Sequence, residues 1–199
     1  MKDAEMDKAR RYHHGGLRAA LVEAGLALLA EREADALGLR EVARAVGVSA
    51  TAVYRHFPDK AALLAALAEA GLARLGAAQR AAAEAAGGGI AGFNATGRAY
   101  VRFALDNPGL FRLIFAHAPA QDPGGWAGKN DDAMTLLREN AVRLVAAERG
   151  ETAARVFALR AWALVHGLAV LLLDGQVAAD DAMIAAVVDA HDLELAPPR

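Results

Sequence analysis

The chain has 199 residues, a formal net charge of -2, 55% hydrophobic residues, 19 glycines and 6 prolines. That length permits one large domain or a small one fused to a larger one, and abundant alanine with few prolines favours an all-α protein with short connections. The absence of cysteine excludes a disulfide framework and a thiolate metal site, and the charged N-terminus lacks a secretory signal, so a cytoplasmic protein is expected.

Residues 1–60 carry ten Lys or Arg against nine Asp or Glu, so this part is barely basic overall. The local pattern says more. Lys8, Arg10, Arg11 and Arg18 form a run with no acid between them, beside Tyr12, His13 and His14, at the start of a first helix expected near 16–32. Residues 39–60, LREVARAVGVSATAVYRHFPDK, read as two short helices joined by a tight turn and running into a third. Leu39, Val42, Ala43 and Val46 fall at helical spacing, and Gly47 follows where a left-handed residue is needed. Small Ala43 permits close approach, Val48 and Val53 fix the interhelical angle, and Ser49 caps the next helix.

That helix, expected at 50–56, is too short to be stable alone and must be held by packing, which frees its outer face. The outer face carries Thr51, Ala52, Arg55 and His56. Phe57 closes the core, Pro58 stops the helix, and Asp59 caps a long helix expected at 60–85. Lys60 in its first turn opposes the helix dipole, but with the free amides it suits a phosphate.

Gly87, Gly88 and Gly89 break the pattern before a helix at 90–106, and Asn107-Pro108 separates it from a short helix at 109–116. Residues 118–128 read as a loop. Helices at 129–148, 151–174 and 179–190 follow, with Gly150 and Gly175 as stops. The longest apolar run, 156–173, contains Arg160 and His166 and falls short of the roughly 20 residues of a membrane span, so it reads as a buried helix and no membrane partner is expected. A helix apolar all round must be covered on every side.

Chemistry in residues 61–199 points to binding rather than catalysis. Ser49 is the chain's single serine, so no serine or cysteine nucleophile lies there. His13-His14 and the separated His117, His166 and His191 match no metal-ligand spacing, and the glycine triplet follows no strand, so no metal and no cofactor are expected. Residues 90–175 do supply an aromatic and apolar lining: Phe93, Tyr100, Phe103, Phe111, Phe115, Trp126, Met134, Phe157 and Trp162. Such residues at helical spacing are core in most cases, yet a space among helices is also where a small apolar ligand is held. Trp162 and His166 are one turn apart on one face; His166 either satisfies a buried carbonyl or a dimer contact, or meets a ligand.

The stretch VYRHFPDKAAL resembles the signature of the tetracycline-repressor family of bacterial regulators. YHHGGLRAALVEAGLALLAE, upstream, resembles that family's first helix and its basic lead-in, and WALVHGLAVLLLDG resembles the Trp and His-Gly motif of one branch of its ligand-binding domains. The resemblance implies a three-helix helix-turn-helix domain over 1–58, joined by the long helix to a ligand-binding and dimerisation domain over 59–199. It implies double-stranded DNA as partner, contacted through Arg11, Ser49, Thr51, Ala52, Tyr54, Arg55, His56 and Lys60. Tyr54 and Lys60 match the family's phosphate contacts, and Arg55 has the shape to fork onto guanine. A small, partly apolar effector is implied, with Phe103, Phe111, Phe115, Trp126, Trp162 and His166 as candidate contacts. So is a homodimer through the last two long helices, with Ala161, Gly167 and Ala169 permitting close approach. The chain departs from the pattern at Ala52, where threonine is common, at Gly38, where Ser or Thr usually starts the second helix, and at Gly16. Two readings of other classes stay open: a DNA-binding protein without an effector, and a helical enzyme acting on a small apolar substrate.

Overall fold

Residues 14–31, 34–117 and 132–189 are described by the structure, a computed structural model, and among them there is no strand. α1 (His14–Leu29), a 3-10 turn (Ala34–Ala36), α2 (Leu39–Val46) and α3 (Ala50–Tyr54) form the N-terminal unit. α4 (Lys60–Ala85), α5 (Gly89–Asp106) and α6 (Pro108–His117) follow. α7 (Asp132–Ala141) passes through a π-helical turn (Val142–Ala146) into α8 (Ala147–Leu173), and α9 (Asp181–Val188) completes the described fold. Arg11, Trp126, the basic stretch before α1, the expected loop at 118–128 and His191 lie outside the described residues.

The corner between α2 and α3 is set by backbone chemistry. Gly47 takes φ 76° and ψ 29°, a region that L side chains avoid. Its N–H donates to the Arg44 carbonyl at 3.1 Å and that of Val48 to Ala43 at 2.9 Å, the paired bonds that satisfy a helix's last carbonyls. Ser49 Oγ then accepts from the Ala52 N–H at 3.3 Å. α3 ends at Tyr54, two residues earlier than expected. The amides of His56 and Phe57 both bond the Val53 carbonyl at 2.9 Å, a tightening that brings Phe57 into the core before Pro58. Val53 and Phe57 are buried beside Leu21, Leu26, Leu37 and Val42, and the Arg18 guanidinium lies 5.2 Å from the Phe57 ring centre.

α4 starts at Asp59, whose Oδ1 accepts from the Ala62 N–H at 2.7 Å. Its buried residues run from Leu63, Leu64 and Leu67 through Gly71 and Leu75 to Gln79. The first group packs with α1 and the last with α5, α6 and α7, and one continuous apolar cluster runs from Leu21 to Val188. Two glycines allow the closest approaches. A Cβ on Gly25 would sit 2.8 Å from Leu67, and one on Gly71 would sit 2.8 Å from Leu110 and 2.9 Å from Ile114. α4 and the stretch Ala133–Leu173 are long and apolar enough to cross a membrane by length and composition; here α4 is divided between the two halves of the core.

The boundary expected between 148 and 151 appears inside α8, where Gly150 leaves helical geometry at φ 81° and ψ 172°. The π turn before it was not legible in the periodicity. α8 buries Ala154, Phe157, Ala158, Ala161, Val165, Leu168, Ala169 and Leu172 in its own subunit. This corrects the expectation for Ala161 and Ala169: they are 7% and 0% exposed and let α8 sit close on α5 and α7. The large hydrophobic residues that α8 leaves exposed are Val156, Leu159, Val170 and Leu171. α9 rests on α5 through Ile184 and Val188, with Arg98–Asp189 and Arg102–Asp181 ion pairs at its two ends.

Gly47→Ala should lower stability by about 1 kcal/mol, a backbone cost alone because nothing lies within 4 Å of the added Cβ. Gly38, the α2 N-cap at φ -124° and without a side-chain cap, behaves oppositely: Gly38→Ser should stabilise by a few tenths of a kcal/mol. Urea unfolding midpoints of both variants check the two signs.

Candidate functional site

At the N-terminal unit, Ser49, Thr51, Tyr54 and Arg55 are exposed while Ala52, His56 and Lys60 are half-buried. Tyr54 keeps 48% of its surface in solvent although it is a large aromatic residue. Val53, the residue beside it, is fully buried, so α3 is held by one side and offers the other. Arg55 follows the last turn as its C-cap, which leaves a guanidinium at the end of a short helix anchored beneath by Val53 and Phe57. Exposed hydroxyl, phenol and guanidinium donors at Thr51, Tyr54 and Arg55 can contact phosphate oxygens and base edges. Lys60 begins α4 as expected, and it makes one contact that the sequence did not show. Its Nζ donates to the Asp35 carbonyl at 2.6 Å, tying the start of α4 to the 3-10 turn and leaving two of three ammonium donors for an anion.

In the C-terminal half a cavity opens among α4 to α9. It holds about 790 Å³ of space not filled by atoms, counted with its open side, and its wall is mostly apolar. Of the expected ligand residues, Phe115 and Trp162 line it. Phe103, Phe111 and His166 do not; Phe103 and Phe111 are 8% and 2% exposed within the core, and His166 sits in an aromatic cluster adjoining the wall. Its ring lies 4.6 Å from that of Phe115 and 5.6 Å from that of Phe111, and its Nδ1 shares a hydrogen bond with the Tyr100 hydroxyl at 2.9 Å. Its Nδ1 therefore needs neither a backbone carbonyl nor a partner subunit.

Burial governs the protonation of this pair. It pushes the Tyr100 phenol well above its ordinary value, with the Trp162 indole pulling the other way, and it lowers His166 below 6.5. Both groups are therefore neutral near pH 7, which suits an apolar wall. Tyr100 lines the cavity with Gln79 and Thr96. Gln79 and Thr96 were not singled out in the sequence, although one signal existed: Gln79 continues the spacing of Leu64, Ala68, Gly71 and Leu75, so a polar residue stands at a core position.

Comparison with known proteins bears on both halves. A family profile described as "Bacterial regulatory proteins, tetR family" matches residues 21–67, and one described as "Tetracyclin repressor-like, C-terminal domain" matches residues 93–191. The chain belongs to the TetR family. A solved protein of unknown function from Rhodococcus sp. RHA1 is 36% identical with a TM-score of 0.69, the match covering 90% of this chain and 93% of that one. A putative transcriptional regulator from Pseudomonas aeruginosa PAO1 shares 22% identity over 91% of this chain and 90% of its own, with a TM-score of 0.63. A tetR-family regulator from Streptomyces coelicolor shares 20% over 86% and 76%, with a TM-score of 0.61. These last two show the same fold.

As a TetR-family member the chain is a DNA-binding transcriptional regulator and not an enzyme. Among the described residues no group of three or more His, Asp or Glu is placed to hold a metal ion.

The neutral His166 gives this regulator a pH response. Its folded pKa lies below the unfolded value of 6.5, so the unfolded chain binds a proton first as pH falls. The stability held by the neutral ring is complete above about pH 6.5 and declines below it, levelling off only under the folded pKa. Urea unfolding at about pH 7.5 and 5.5 should show a larger loss for the wild type than for His166→Gln.

Proposed function

We propose that this regulator is a homodimeric repressor that binds an inverted-repeat DNA site and leaves it when a small, largely apolar molecule fills the cavity. The observation that carries this reading is that α4 serves both sites: Leu72, Leu75 and Gln79 form cavity wall, while Asp59 and Lys60 begin the helix directly after the exposed α3 face. A ligand that displaces α4 changes the spacing of two α3 helices, which must match roughly one DNA turn or a multiple of it. Residues 1–58 act as the DNA-binding domain and 59–199 as the effector and dimerisation domain, in the bacterial cytoplasm where the DNA is.

Within the DNA-binding domain, Tyr54 and Lys60 take phosphate, Thr51 and Arg55 reach base edges, and Ser49, Ala52 and His56 complete the contact face, joined by Arg11. Phe115 and Trp162 contact the effector. The dimer forms on the α8 face that carries Val156, Leu159 and Val170, whose exposure in one subunit leaves a stripe that a second copy covers.

Two measurements test this. Arg55→Ala should relax preference at one symmetric pair of operator positions by about 1–3 kcal/mol, read by binding to a library of single-base operator variants; a uniform loss across the library would make Arg55 a phosphate contact. Leu159→Glu would bury an unpaired charge in the dimer at a cost of several kcal/mol. Sedimentation should show a monomer with far weaker operator binding, and an unchanged dimer would move the interface elsewhere.

A further inference from the structure

We infer that the cavity selects a neutral, largely apolar molecule with one hydrogen-bond donor, an alcohol, phenol or amide N–H, that donates to Gln79 Oε1. This rests on the reading of the cavity as an effector site and specifies its chemistry.

Gln79 is 8% exposed and lines the cavity. Its Nε2 donates to the Thr96 carbonyl at 3.2 Å, which fixes the orientation of the amide, because a flip would set oxygen against oxygen. Oε1 is then left buried without a hydrogen-bond partner, an exception among buried polar atoms of native proteins. The neighbouring hydroxyls have other engagements. Thr96 Oγ1 donates to the Phe93 carbonyl at 2.6 Å, and the Tyr100 hydroxyl is bonded to His166.

An unpaired acceptor on a residue of an apolar wall is complemented by a donor carried on an apolar body. A molecule with acceptors alone, such as an ether, would bring lone pairs against Oε1 and leave it unpaired. An ion fits no better: no Asp, Glu, Lys or Arg lies among the described lining residues, so a charge would be buried without a counter-ion. Phe93, Met134 and Trp162 supply the apolar remainder.

The test is calorimetric titration of the full-length protein with para-butylphenol, its methyl ether and butylbenzene. A purely apolar site ranks the ether above the phenol, since the ether is the more hydrophobic, so the two ideas predict opposite orders. Wild type should bind the phenol roughly tenfold more tightly than the ether, and Gln79→Leu and Gln79→Met should each lose that preference while still binding butylbenzene. Two substitutions guard against one that misfolds, and melting by circular dichroism confirms that a tested variant is folded. An ether bound as tightly as the phenol by wild type overturns the donor rule and leaves the effector reading standing. A phenol preference that survives in a folded variant removes Gln79 from the assignment. If none of the three molecules binds wild type, the effector reading falls and the donor rule with it.

Discussion

Because Leu67 of α4 fills the space left by Gly25 in α1, and Gln79 of the same helix bonds Thr96 in α5, neither half of the molecule can be repacked without moving α4. At 26 residues this helix is roughly 39 Å long, enough to run from the base of α3 to the cavity. Its ends are tied differently. The start is held by the Asp59 cap and the bond from Lys60 to the Asp35 carbonyl, and the exposed flank by an Arg74–Glu23 ion pair at 2.5 Å. The far end packs on α5, α6 and α7 and carries Gln79 in the cavity wall.

Electrostatics in this chain are local. A net charge of -2 gives no general attraction to DNA, so encounter depends on the few cations near α3 and on salt. The ion pairs in the described residues are partly exposed, as with Arg112–Asp174 at side-chain exposures of 52% and 42%, and pairs of that kind contribute little each. The cavity follows the opposite rule: burial keeps Tyr100 in its wall, and His166 beside it, neutral, so neither brings a charge to it.

The sequence was most readable where a residue type has a special backbone role. Gly47, Ser49 and Asp59 placed the corner, the cap and the start of the long helix because few other residues can take those positions, and Gly150 marked a break for the same reason. The cavity was poorly legible. Phe111 and Phe115 lie one turn apart on α6, yet only Phe115 meets the open space, because the face that stays uncovered depends on how α4, α7 and α9 close around it. Trp162 and His166 share a face, but His166 ends against Phe115 and Tyr100 before reaching the wall. Ala161 and Ala169 did mark a close helix contact. Small side chains record that something approaches and not what, and here it is the subunit's own core. Lys60 was placed by dipole reasoning that could not foresee a carbonyl 25 positions back in the chain.

Gly71 has a mechanical meaning. With no Cβ between them, Leu110 and Ile114 of α6 reach the backbone of α4, so rolling or lifting the helix there meets close-packed atoms on a steep repulsive slope. Tilting about that point meets less. From Gly71 to Gln79 is roughly 12 Å along the axis and from Gly71 back to Lys60 roughly 16 Å. Under the proposed displacement of α4, these unequal arms would enlarge a push at the cavity about 1.4-fold at the start of the helix and reverse its direction.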